Sequence, residues 1–189
     1  EILGGVSTLT ESWNGTTWTE VNDLSVARQE LAATGASNSS ALAFGGTLNN
    51  PEVAFTEEWN ANFAYGVWAT SGSLNTARQG LAGAGTQDAA LAFGGDDITA
   101  ITEQYNGSTW AEVNNLNEAR RFLAGAGTQT AALAFGGDPT PGSTANTESW
   151  NGVAWTEVNN LNTARFDIFG NGTQTSAMAA GGYHATDWA

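Results

Sequence analysis

One phrase is written four times in this chain and begun a fifth time. It reads approximately T-E-x-W-N-G-x-x-W-x-E-V-N-N-L-N-x-A-R-x-x-L-A-G-A-G-T-Q-x-A-A-L-A-F-G-G. Its double glycines stand at Gly4-Gly5, Gly45-Gly46, Gly94-Gly95, Gly136-Gly137 and Gly181-Gly182, in steps of 41, 49, 42 and 45 residues. Arginine recurs at Arg28, Arg78, Arg120 and Arg165, and tryptophan at Trp18, Trp68, Trp110 and Trp155 in the same phase. Self-similarity at this period means a stacked array of one supersecondary unit, in which each copy buries its apolar face against the next.

Residues 117–161 show the unit. Phe122 to Gly127 reads as a small-residue strand, and Ala131 to Phe135 as a short apolar strand stopped by Gly136-Gly137. Thr147-Glu148-Ser149-Trp150 alternates polar and apolar, as a half-buried strand does. Asn151-Gly152 predicts a type I′ hairpin turn, since both residues tolerate positive φ. Ala154 to Val158 is the return strand. Four short antiparallel strands with no helical period make a propeller blade. The Ala/Gly strand belongs at the crowded axis, and the tryptophans belong in the wedges between blades, each burying about 150–250 Å². The repeated arginines are expected to hydrogen-bond loop carbonyls or the blade's own acid, such as Glu112 or Glu157. Glu11, Glu57, Glu103 and Glu148, repeated in phase, are expected to be structural or charge-pairing.

The fold expected is therefore all-β, a propeller of four-stranded antiparallel blades in a single domain over residues 1–189. Full blades fall at 25–74, 75–116 and 117–161, with partial ones at 1–24 and 162–189. Four or five blade positions are visible: residues 1–24 supply strands two to four and 162–189 strands one to three, which leaves a segment of a larger ring, a five-bladed ring with two deficient blades or a four-bladed ring with spare C-terminal strands.

Arg120, the run Ala132 to Gly137, Trp150 and Trp155 resemble the kelch repeat, and the resemblance covers essentially the whole chain. It implies a β-propeller, commonly of six or seven blades. The Thr/Asn/Gly-rich wording also resembles kelch-like repeats in predicted structural proteins of marine bacteriophages. That likeness implies a virion-surface or extracellular protein, with a tail-fibre, host-attachment or decoration role. Its partners would be other virion or assembly proteins, or a host-surface glycan or protein, with an oligomer among the expected forms.

Composition narrows the partners. Lysine is absent, and five arginines face nineteen acids for a net charge of −14. Nucleic-acid binding needs clustered cations, which the chain lacks. No apolar run is long enough for a membrane-spanning helix. With no cysteine and one histidine, His184, neither a thiolate site nor a His-rich metal site can be built. A catalytic triad would have a single candidate base. The expectation is a protein that is not an enzyme, with no catalytic residues and no cofactor. Two alternatives remain: a carbohydrate-binding or glycosidase-type propeller, and an intracellular kelch protein-interaction adaptor.

Candidate binding residues lie where the copies disagree, because loops vary where a scaffold is used for recognition. The loops after the double glycines supply Asn49, Asn50, Glu52, Asp96, Asp97 and Asp138. An insertion at 61–66 adds Phe63 and Tyr65 on the opposite face. Asp96, Asp97 and Asp138 offer oxygen ligands for Ca²⁺, although their spacing matches no dedicated loop.

Overall fold

The computed structural model describes residues 6–61 and 66–184, which form sixteen strands and no helix. β1 (Glu11–Trp13) and β2 (Trp18–Glu20) make a two-stranded sheet. Three four-stranded sheets follow. The first blade contains β3 (Ala32–Ser37), β4 (Ser40–Phe44), β5 (Thr56–Asn60) and β6 (Val67–Ser71). The second contains β7 (Ala82–Gly85), β8 (Ala90–Phe93), β9 (Thr102–Tyr105) and β10 (Trp110–Val113). The third contains β11 (Ala124–Thr128), β12 (Ala131–Phe135), β13 (Thr147–Trp150) and β14 (Trp155–Val158). β15 (Phe169–Thr173) and β16 (Ser176–Ala180) form a last two-stranded sheet. Every pairing is antiparallel between strands adjacent in sequence, so each sheet is a meander and the fold is all-β and propeller-like.

The small-residue strands β3, β7, β11 and β15 are innermost and together line a cavity of about 310 Å³. Sterics explain the composition. A Cβ on Gly83, Gly125 or Gly170 would stand 2.6–2.7 Å from the Cζ of Phe44, Phe93 or Phe135 on the preceding blade. The double glycine is a joint between blades. Gly45, Gly94 and Gly136 have φ of +65° to +68°, which favours glycine. The second glycine of each pair donates its N–H to the next blade's arginine carbonyl, at 3.0 Å from Gly46, 3.1 Å from Gly95 and 2.9 Å from Gly137.

Tryptophans fill the seams as their phase predicts. Trp110 and Trp155 are buried, each with its ring centroid 5.0 Å from the phenylalanine of the blade before it. Their indole N–H groups donate across the seam to Thr56 and Thr102 at 3.0 and 3.1 Å. Gln87, Gln129 and Gln174 tie the same seams by donating to the carbonyls of Trp59, Tyr105 and Trp150.

The hairpin turn differs from the type I′ expectation. In Asn14-Gly15, Asn106-Gly107 and Asn151-Gly152 only the glycine has positive φ. The loop is four residues long, and the Asn side chain closes it. Asn151 Oδ1 accepts from the N–H groups of Val153 and Ala154, both at 2.9 Å, and Asn14 and Asn106 repeat the pattern. Asparagine is there for its acceptor oxygen rather than for a left-handed backbone.

The arginine expectation also needs one correction. Arg28, Arg78 and Arg120 do bind carbonyls, as Arg120 Nη1 does at Gly136 and Asn146 (2.9 and 2.6 Å). Their acids, however, are Glu57, Glu103 and Glu148, at 3.1, 2.9 and 3.1 Å, with both partners buried. Glu112 and Glu157 sit on the outermost strand of the blade and face solvent. The second carboxylate oxygen accepts the backbone N–H of Ser25, Asn75 or Asn117, pinning the chain that leads into the arginine. Burial pulls the three guanidiniums below their usual pKa, and the facing glutamates oppose it.

Candidate functional site

The loops after the double glycines share one face with the entry to the innermost strands. The residue after each arginine pairs with the start of such a loop: Gln29 with Thr47, Arg121 with Asp138, and Phe166 with Tyr183. In the second blade the Asp96 N–H donates to the Gln79 carbonyl at 2.7 Å. One residue further on, Glu30, Gly80, Phe122 and Asp167 all adopt positive φ between 51° and 61°. They form a collar through backbone bonds from Gly80 N to Glu30 O (3.1 Å), Phe122 N to Gly80 O (2.7 Å) and Asp167 N to Phe122 O (2.9 Å). The collar lines a second space of about 350 Å³, and Phe169 borders both it and the inner cavity.

The structure brings Asp96 and Asp138 together, from the loops of the second and third blades. What joins them is Arg121. Its Nη1 donates to Asp96 Oδ1, and its Nε donates to Asp138 Oδ2 at 3.1 Å. Gln79 Nε2 donates to the other Asp96 oxygen at 2.7 Å, and the Arg121 guanidinium lies 5.1 Å from the Phe122 ring centroid. Burial raises the Asp96 carboxyl, but the bonds from Gln79 and Arg121 outweigh it and the net direction is downward. Arg121 is held above its ordinary value by the hydrogen bond to Asp96.

Glu30, Glu52 and Asp167 make no ion pair among the described residues. Burial raises the Glu30 carboxyl, repulsion from Asp96 and Asp167 adds to it, and the nearby Arg121 opposes it. Burial raises Glu52, with Asp97 and Asp96 adding to it, so the first-blade and second-blade loops are electrostatic neighbours. Asp167 is raised by burial alone. Asn49 and Asn50 are exposed with φ of 65° and 76°, before a cis Asn50–Pro51 bond. The Thr47 hydroxyl holds their loop by accepting from Asn50 N at 2.9 Å. Phe63 and Tyr65 lie outside the described residues, as do Gly4 and Gly5.

The Ca²⁺ expectation meets a different arrangement. Asp96 and Asp138 converge on a guanidinium, and no group of three or more His, Cys, Asp or Glu fit to hold a metal ion occurs among the described residues. Arg121 is the residue that reading by repeats passes over, because it follows Arg120 and looks like part of a doublet. Its signal is being out of register. The equivalent positions are Gln29, Gln79 and Phe166, so it is the one arginine that the blade does not require.

No protein-family model matches the chain, and no curated protein matches it.

Proposed function

We propose that this chain is a non-catalytic recognition module that meets its partner with the loop face, on the exterior of a particle such as a phage virion. One contrast supports this most directly. The repeated arginines of the three full blades pair with buried glutamates, whereas Arg121, Asp96 and Asp138 form a half-buried ion-pair network where the copies differ. Such a network holds two variable loops in fixed relative positions, which lowers the entropy of ordering them on binding. The acid excess of the face favours an uncharged, hydroxyl-rich glycan or a protein surface with free donors over any polyanion. The virion setting rests on the likeness of the repeats to those of marine phages, and with it go a tail-fibre, receptor-binding or decoration role.

The test is a glycan array and intact host cells probed with the labelled protein and its Arg121→Ala variant. Loss of binding with an unchanged melting temperature supports the loop face. Retained binding in the variant removes it.

A carbohydrate-active reading draws on the collar. Glu30 and Asp167 are two carboxyls with raised pKa values at the mouth of a cavity, beside Phe122. Glycoside hydrolysis needs two carboxyl groups across one bond. Hydrolysis that disappears in Glu30→Gln would establish this reading in place of the first.

A further inference from the structure

The sequence holds four Asn-Gly pairs, at 14–15, 106–107, 151–152 and 171–172. The pair carries its own chemistry. A glycine nitrogen, with no side chain to hinder it, can attack the carboxamide carbon of the asparagine before it and close a five-membered ring. The fold sets the four pairs up differently for that attack.

Three of them close outer hairpins, and there the carboxamide oxygen is turned past the glycine to the residues two and three ahead. Asn14 Oδ1 accepts from Thr16 N and Thr17 N, both at 2.9 Å. Asn106 Oδ1 accepts from Ser108 N and Thr109 N at 3.1 and 2.9 Å, and Asn151 Oδ1 from Val153 N and Ala154 N, both at 2.9 Å. Each carboxamide must release two hydrogen bonds, of about 0.5–1.5 kcal/mol each, before it can swing toward its glycine.

The fourth pair lies within β15, and its geometry is the reverse. Gly172 N donates to Asn171 Oδ1 at 2.7 Å. The attacking nitrogen thus already rests against the carboxamide, one bond from the carbon it must reach. The two residues of this pair have separate origins. Gly172 is required by the strand: its φ is +120°, like the +114° of Gly85 and +116° of Gly127, and a Cβ on it would stand 2.3 Å from the Ser176 carbonyl oxygen. Asn171 is not required. The strand registers put Thr34, Ala84 and Ala126 at the same position of the other innermost strands. Asn171 and Gly172 both line the inner cavity of about 310 Å³, which is roomy enough for water and whose lining carries no charged side chain.

We propose that Asn171-Gly172 is a self-modification site, at which Asn171 loses its amide in the folded protein ahead of the three hairpin asparagines. Hydroxide takes the Gly172 amide proton, and the freed electron pair forms a bond to Asn171 Cγ. The Cγ–Nδ2 bond breaks, and Nδ2 leaves as ammonia with a proton from water. Water then opens the succinimide. Attack at Cγ leaves an aspartyl residue, and attack at the main-chain carbonyl leaves an isoaspartyl one. Nothing is oxidised or reduced. Either product puts a carboxylate on the wall of an uncharged cavity, and the isoaspartyl form also lengthens β15 by one main-chain atom opposite Met178. What singles the site out is reacting groups held in near-attack geometry. The inference is independent of which ligand the loop face takes.

Timed peptide mapping by mass spectrometry tests it, on folded protein kept in mildly alkaline buffer and then unfolded and cut at arginine. Residues 166–189 contain Asn171 as their only asparagine, so its conversion is read without ambiguity. Asn171 should lose its amide at least about tenfold faster than Asn14, Asn106 or Asn151, a ratio that one or two carboxamide hydrogen bonds account for. The rate should rise with pH, because the nitrogen must be deprotonated. In urea the four pairs should react at similar rates, since the dipeptide is the same. Asn171→Ala, which copies the second and third blades, should remove the fast event and leave the slow ones. An Asn171 no faster than the hairpin asparagines in the folded protein overturns the proposal, as does a preference for Asn171 that persists in urea.

Discussion

The Phe93 ring ends 2.7 Å from where a Cβ on Gly125 would stand, one blade further round. The seam is therefore shaped by a large residue and a missing one together. Gly125→Ala should destabilise the fold by about 1–3 kcal/mol through overpacking, and Phe93→Ala by about 3–5 kcal/mol through the cavity left. The double variant should cost less than their sum by the share of the clash that the ring supplies, while the clash with the Gly83 carbonyl oxygen, 2.6 Å from the same Cβ, remains. Urea unfolding of the four proteins measures the coupling, and strict additivity would dissociate the two positions.

Glu148→Gln should leave Arg120 buried without its counter-charge. The expected loss is about 3–5 kcal/mol, read as a lower denaturation midpoint at unchanged slope. Glu157→Gln, on the exposed outer strand of the same blade, should stay within about 0.5 kcal/mol. Equal losses for the two would reverse the assignment of the arginine's partner.

Tyr105 is buried, and its hydroxyl bonds with Glu58 and Ser71. Burial, followed by the bond to Glu58, pushes its pKa up to about 12. Ultraviolet titration should therefore show one of the three tyrosines ionising only near that pH. Glu58→Gln should bring it down, and three tyrosines that titrate together would contradict the burial.

The collar makes stability depend on pH in a definite sense. Glu30 and Asp167 have raised pKa values in the fold, so the unfolded chain gives up these protons first. Stability from these two groups is highest below their unfolded pKa values and is lost as pH rises through the folded ones. Asp96, held low, works the other way, and its contribution disappears as pH falls through its folded pKa. Glu30→Gln and Asp167→Asn should each raise the urea midpoint at about pH 7 and lose that advantage at about pH 4. An advantage that persists at acid pH would point to a cause other than ionisation.

The repeat made most of the fold legible. The innermost strands and the tryptophan seams follow from keeping equivalent residues in phase, and so does a structural or charge-pairing role for Glu57, but not its choice as the partner of Arg28. What phase does not show is depth within a blade. Glu112 and Glu103 are both repeated acids facing each other across β9 and β10, yet only Glu103 is next to the guanidinium, because β10 is the outer edge. The Asn-Gly pairs were recognisable as turns, but not the carboxamide that closes them. Arg121 was missed because repetition directs attention to what recurs. The same comparison of copies, turned round to find the cation out of register, would have picked it out.

The burial of Arg28, Arg78 and Arg120 bears on how the chain meets a protease. A protease that cuts after cationic residues has only five arginines to choose from, since there is no lysine. Three of them lie inside the blades with their backbones in seam hydrogen bonds. The side chains of Arg121 and Arg165 are less buried, yet the Arg165 carbonyl accepts from Gly137 N at 2.9 Å, the Arg121 backbone bonds with Asp138 in both directions, and Arg121 is itself clasped by two aspartates. The charge pairs that hold each blade together also remove most of its trypsin-type cleavage sites.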